Sequence, residues 1–130
     1  MPVLRLVILP DTFAVCRLPA DSSIPAWATG ELVSITRTGD ELSVVCREDA
    51  VPEDIRCETG WRCLRVDGTL DLSLVGVLAS LAVPLAEAGV SVFAVSTFDT
   101  DFLLMKGVQL PRGMEALRAA GHWVRSESLP

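Results

Sequence analysis

The sequence predicts an α+β protein of two tandem βαββαβ modules with antiparallel sheets, residues 1–60 and 61–130, the first of them degenerate. Three observations carry this reading. The second half of the chain alternates strand-like and helix-like apolar patterns in the order βαββαβ. Its central hairpin reappears sixty positions earlier. Half of the 130 residues are apolar, aromatics are few and Tyr is absent, so the core is aliphatic and large enough for a compact unit.

Trp61 to Val66 is rich in strand formers and ends at the turn signal Asp67-Gly68. Leu74 to Ala88 carries apolar residues on nearly every face and is stopped by Gly89, which predicts a helix buried on more than one side. Pro84 inside it has no amide hydrogen, so the Ser80 carbonyl loses its helical donor and a kink or early end is expected. Val90 to Ser96 and Asp101 to Lys106 form a hairpin around the polar segment Thr97-Phe98-Asp99-Thr100. Pro111 suits the start of a helix that runs through Met114 to Ala120, with Gly121 as the cap after it. His122-Trp123-Val124 returns as an edge strand, which places His122 at the surface or edge.

In the first half, Leu32, Val33 and Ile35 fall on Val92, Phe93 and Val95, and Glu41 and Leu42 fall on Asp101 and Phe102, without a gap. Phe13 to Leu18 resembles Trp61 to Val66, with the intervening helix reduced to a short segment, Ile24 to Ala28. Pro52-Glu53-Asp54 stands roughly where Pro111 opens its helix.

Composition narrows the function classes. With 17 acidic against 11 basic residues the formal charge is −6, so no broad positive surface is expected for nucleic acid. The run Val3 to Leu9 contains Arg5 and ends at Pro10-Asp11, too early for a signal-peptide core. Leu74 to Ala86 is well short of the roughly 20 residues that span a bilayer. No membrane association is expected. Cys16, Cys46, Cys57 and Cys63 lack CxxC spacing, and with one histidine in the chain they make a poor metal set. They read as buried reduced thiols, which points to the cytoplasm, and neither metal nor cofactor is expected.

Two segments carry chemistry. Ser96-Thr97-Phe98-Asp99-Thr100-Asp101 places hydroxyls and carboxylates at a strand end, where Asp101 with adjacent Thr hydroxyls suits an ammonium or guanidinium group. Alternatively, these residues bond only their own turn. Asp71-Leu72-Ser73-Leu74-Val75-Gly76-Val77 precedes a helix whose free N-terminal amides favour a carboxylate, with Gly76 allowing close approach. Alternatively, Gly76 permits helix-on-sheet packing and Ser73 caps the helix. One segment suits an anion and the other a cation, the arrangement a zwitterion needs.

The stretch from residue 71 to 106, especially Gly76-Val77-Leu78-Ala79 and Ser96-Thr97-Phe98-Asp99-Thr100-Asp101, resembles the small tandem ACT-domain proteins related to the eukaryotic cytosolic arginine sensors of the CASTOR type. The first half is similar to that family mainly in pattern. The resemblance implies ferredoxin-like modules and a non-catalytic regulatory sensor for an amino acid or similar small molecule. It implies Val75, Gly76, Thr97, Phe98 and Asp101 as ligand-binding residues, to which the hairpin segment adds Ser96. It further implies homo-oligomerisation through side-by-side sheets. The first module departs from the pattern, with Gly39 and Asp40 where the second has Asp99 and Thr100.

An enzyme would need a nucleophile with a base, a metal set or paired carboxylates in a cleft, and the sequence offers none of these. The other reading is a structural or interaction module with no ligand, since one fold hosts many functions.

Overall fold

The computed structural model describes residues 2–68, 70 and 75–127. Among them are seven strands, β1 (Arg5–Leu18), β2 (Ser34–Arg37), β3 (Leu42–Arg47), β4 (Cys57–Val66), β5 (Phe93–Ser96), β6 (Asp101–Lys106) and β7 (Trp123–Ser126), and two α-helices, α1 (Val77–Glu87) and α2 (Leu110–Ala119). The chain forms two compact units, Asp11–Trp61 and Met1–Pro10 with Arg62–Pro130. This division differs from two consecutive segments, 1–60 and 61–130. The first ten residues join the C-terminal unit because Arg5 to Ile8 pair in parallel with Trp123 to Ser126.

In Asp11–Trp61 the strand order is β2-β3-β1-β4. β1 and β3 are antiparallel from Phe13 opposite Arg47 to Leu18 opposite Leu42, and β2 pairs β3 from Ser34 opposite Val45 to Arg37 opposite Leu42. Alternate positions point to one face, so Ala14, Cys16, Leu42, Val44 and Cys46 gather into one apolar cluster. The short helix expected at Ile24 to Ala28 is absent. Pro25 interrupts the segment, and before it the Arg37 guanidinium donates to the carbonyls of Ala20 and Ser22, holding the backbone as turns. No helix opens at Pro52 either. A 3-10 turn, Glu48–Ala50, precedes it, and β4 begins at Cys57, leaving too few residues for a helix.

In the C-terminal unit the order is β7-β1-β4-β6-β5. The apolar run Leu6 to Leu9 is buried at every position, so both faces of this part of β1 are covered and no alternation shows in the sequence. Strand β4 begins four residues before the expected Trp61, and β5 is shorter than Val90 to Ser96. The predicted hairpin forms, with Phe93 opposite Leu104 and Ser96 opposite Asp101.

Helix α1 buries one stripe, Val77, Ser80, Leu81 and Leu85, while Leu78 and Val83 are exposed, so it is covered on one side rather than several. Its expected start at Leu74 lies outside the described residues. The helix continues through Pro84 to Glu87. The inner stripe packs with Leu64, Val66, Leu103, Met105 and Leu117 into the core of the unit. Gly113 brings α2 close to the sheet: a Cβ there would lie 2.5 Å from Met105 Sδ. His122 is 5% exposed rather than at the surface, because its ring is held between Leu4, just before β1, and Ser80 of α1.

Candidate functional site

The site read from the sequence lies in the C-terminal unit, where β4 leaves the sheet for α1 and where β5 turns into β6. The turn Thr97 to Thr100 is closed by the Thr97 amide donating to the Thr100 carbonyl at 2.8 Å. The Thr97 hydroxyl donates to the same carbonyl at 3.0 Å and accepts the Thr100 amide at 3.2 Å. Thr100 turns inward, and its hydroxyl donates to the Val66 carbonyl at 2.7 Å. The Leu70 amide donates to the Asp99 carbonyl at 2.6 Å. Through these last two bonds the hairpin turn is tied to the exit of β4, so both candidate segments occupy one end of the unit.

Gly76 sits immediately before α1 with φ 83° and ψ 6°, the left-handed region that favours glycine. A Cβ on it would meet nothing within 4 Å. Its conformation rather than close helix-on-sheet packing therefore calls for glycine here. The Gly76 carbonyl accepts the Ser80 amide at 2.9 Å, which opens the helical ladder and leaves the amides of Val77, Leu78 and Ala79 ahead of the first helical bond. Ser73 and Leu74, expected to cap and begin the helix, are outside the described residues.

Val75 is 91% exposed and Phe98 80% exposed. Ser96 and Thr97 are exposed, and Asp101 is half-buried at the first position of β6, directly opposite Ser96. The structure thus brings Ser96, Thr97, Phe98 and Asp101 together on one hairpin. Val75 and Gly76 stand separately at the start of α1, and no hydrogen bond joins the two sets among the described residues. Of the two hydroxyl residues in the turn, Thr100 is committed to the fold and Thr97 keeps one acceptor position, since both use their donors on backbone.

Sequence reading passed over three features. Thr100 is the internal brace of the hairpin, its role hidden because Val66 lies far away in sequence. Leu110, Pro111, Met114, Glu115, Arg118 and Ala119 line an open groove of about 710 Å³ on the outer side of α2. In the other unit a groove of about 320 Å³ is lined by Arg17, Arg56, Cys16 and Cys57, among others. Only the amphipathic spacing of α2 could have signalled any of these. Among the described residues no group of three or more His, Cys, Asp or Glu is placed to hold a metal ion. No helix among them is long and apolar enough to cross a membrane.

A family model for the ACT domain matches residues 56–119, and a second, described as an N-terminal domain, matches residues 11–54. The crystal structure of protein Atu0741 from Agobacterium tumefaciens is 41% identical, with a TM-score of 0.93 over 99% of this chain and 97% of that one. A protein of unknown function from Vibrio cholerae, described as a possible transport protein, is 16% identical with a TM-score of 0.74 over 90% and 89%. The regulatory subunit of aspartate kinase from Thermus flavus is 10% identical with a TM-score of 0.64 over 92% and 99%, a likeness of fold. No curated protein matches the chain. The chain belongs to the family of the Agobacterium protein and carries an ACT domain in its C-terminal part.

Proposed function

We propose that the protein is a non-catalytic regulatory sensor that reversibly binds an amino acid at the end of its ACT domain where β4 meets α1 and β5 meets β6. The observation that carries this reading is the opening of α1 at Gly76. A left-handed glycine with free space around it stands before unladdered amides, suited to a ligand carboxylate. Asp101, at the mouth of the hairpin tied to the same end, supplies the carboxylate for an ammonium group. Exposed Val75 and Phe98 would cover the ligand's apolar part. Binding would act by population shift, favouring one arrangement of protomers over another. The fold shared with the Thermus flavus regulatory subunit supports the regulatory part of the reading.

The finer assignment is a tandem related to the CASTOR-type arginine sensors, with Asp11–Trp61 as a degenerate first module. Strand order supports it. Read from the hairpin inward, β2-β3-β1-β4 in that unit repeats β5-β6-β4 and then β7 in the other, where the first part of β1 is interposed before β7. Homo-oligomerisation through sheet edges and residence in the cytoplasm, where the free cysteines stay reduced, complete the reading. A ligand-free interaction module is the second reading, favoured by the commitment of the Thr97 and Thr100 hydroxyls to their own turn and its brace.

Thermal unfolding against each of the twenty amino acids at millimolar concentration tests the proposal. A ligand at about a hundred times its Kd adds roughly 2.7 kcal/mol to the native state, a rise of several degrees. A rise confined to one chemical class of amino acid supports the sensor and names its ligand. No rise with any of them favours the interaction module.

A further inference from the structure

Three of the four cysteines meet in the unit Asp11–Trp61. Cys16 on β1 and Cys46 on β3 belong to one apolar cluster, and Cys57 at the start of β4 packs against it. Both neighbouring thiols lie near enough to that of Cys16 to help raise it. Strand register explains the meeting. Ala14 faces Cys46 and Cys16 faces Val44, so Cys46 lies diagonally from Cys16 on the same side of the sheet. On the other flank of β1 the Arg17 amide donates to the Arg56 carbonyl at 2.9 Å. One step along this pairing sets Cys16 opposite Cys57.

A pair adjacent to a hydrogen-bonded one is of the non-hydrogen-bonded kind, with Cα atoms about 4.5 Å apart. A disulfide spans Cα separations of roughly 4.4 to 6.8 Å. The diagonal separation of about 7 to 8 Å that relates Cys16 to Cys46 is beyond that span. The cross-strand pair is therefore the one that can be bridged without moving backbone.

Access differs in the same sense. Cys16 and Cys46 are buried, while Cys57 is half-buried. Cys16 and Cys57 both line the groove of about 320 Å³, together with the charged groups Arg17, Arg56, Glu41 and Glu58. Small oxidants can reach the pair from that side.

We propose that Cys16 and Cys57 are a reversible dithiol–disulfide pair, a site of oxidative modification by peroxides. Cys57, the accessible sulfur, attacks a peroxide oxygen. The O–O bond breaks, the thiol proton leaves with the departing oxygen as water when the oxidant is hydrogen peroxide, and a sulfenic acid remains. The Cys16 sulfur then attacks the Cys57 sulfur. The S–O bond breaks, and hydroxide leaves with the Cys16 proton as a second water. Two thiols give up two electrons and one hydrogen peroxide becomes two waters. A thiol reductant reverses the bond by exchange. Burial, with the neighbouring thiols of Cys46 and Cys57, pushes the Cys16 thiol up to about 12, which keeps it protonated and leaves the more accessible Cys57 to meet the oxidant first.

The test is peptide mapping by mass spectrometry of the reduced full chain after treatment with equimolar hydrogen peroxide, with and without later reduction. The expected result is loss of two of the four thiols, a peptide joining Cys16 to Cys57 that reductant splits, and retention of that link in Cys63→Ala but not in Cys57→Ala. The wild-type map decides the matter even if a variant folds poorly. A link through Cys46 or Cys63, a disulfide between two chains, or oxidation of single thiols without any link would overturn the proposal.

Discussion

The Nε2 atom of His122 lies 2.8 Å from the carbonyl oxygen of Ser80, while its Nδ1 accepts the amide of Leu4 at 3.0 Å. The Leu4 bond fixes the neutral tautomer with hydrogen on Nε2, so the ring donates to Ser80. Ser80 stands four residues before Pro84, and its carbonyl is the one that proline leaves without a helical donor. A single buried histidine thus completes α1 and ties to it the backbone just before β1.

Replacing His122 by Ala strands a buried acceptor and a buried donor, each at a cost of about 1 to 3 kcal/mol. Urea denaturation is expected to show His122→Ala less stable by roughly 2 to 6 kcal/mol. Adding Pro84→Ala restores an amide to Ser80 and should recover about 1 kcal/mol in that background, but little in the wild type. Equal effects of Pro84→Ala in both backgrounds would refute the linkage.

Gly113 is set by packing rather than by a turn. Its missing Cβ would press on Met105 Sδ, and Met105 is fully buried. Gly113→Val is expected to lower stability by about 2 kcal/mol through overpacking. Gly113→Ala should cost less, because the better helix propensity of Ala, about 1 kcal/mol, offsets much of the strain. Thermal unfolding of the two variants reads this order directly.

Asp101 is half-buried at a strand end, and its replacement should leave the fold intact, within about 0.5 kcal/mol. If the zwitterion site is correct, Asp101→Ala unfolds at the wild-type temperature without ligand and loses the rise that the active amino acid produces. A variant that still responded like the parent would remove Asp101 from the site.

Cys16 predicts a stability profile at alkaline pH. Its thiol is pushed up from 9.0 to about 12 in the folded chain, chiefly by burial. Above pH 9 the unfolded chain releases this proton while the folded chain keeps it, so unfolding is favoured progressively until about pH 12. Below pH 9 both states hold the proton and the contribution is constant. Denaturation midpoints between pH 8 and 10.5 should fall more steeply in the wild type than in Cys16→Ala.

Parts of this structure were legible because local and tertiary demands agree. Asp101 to Lys106 reads as a strand, the four residues before it as a turn, and Pro111 as a helix opening, and each forms as read. Pro84 announced a freed carbonyl at Ser80. Its recipient was not legible, since His122 comes from the far end of the chain. Strand β1 was missed through Leu6 to Leu9 because burial on both faces erases the period-two signal, and because Pro10 reads as a stop although the strand passes through it exposed. Ile24 to Ala28 has apolar residues but no helix, since Arg37 captures the carbonyls before it. In the proposed site, the positions of Gly76 before α1 and of Asp101 at the start of β6 were legible. The distribution of hydroxyls was not, because Thr100 turns inward to a partner on β4.

The pairing of Arg5 to Ile8 with Trp123 to Ser126 also constrains synthesis. On the ribosome the first ten residues emerge before any other part of their own unit, and the strand they pair with in parallel emerges last. Residues 11–61 can complete their sheet while translation continues, but the ACT-bearing unit must wait until Trp123 to Ser126 have emerged. Its folding therefore requires closure of the long loop that separates Arg5–Ile8 from Trp123–Ser126. A fragment beginning at Arg62 would lack the strand between β4 and β7, and should be recovered as an aggregate rather than as a soluble domain.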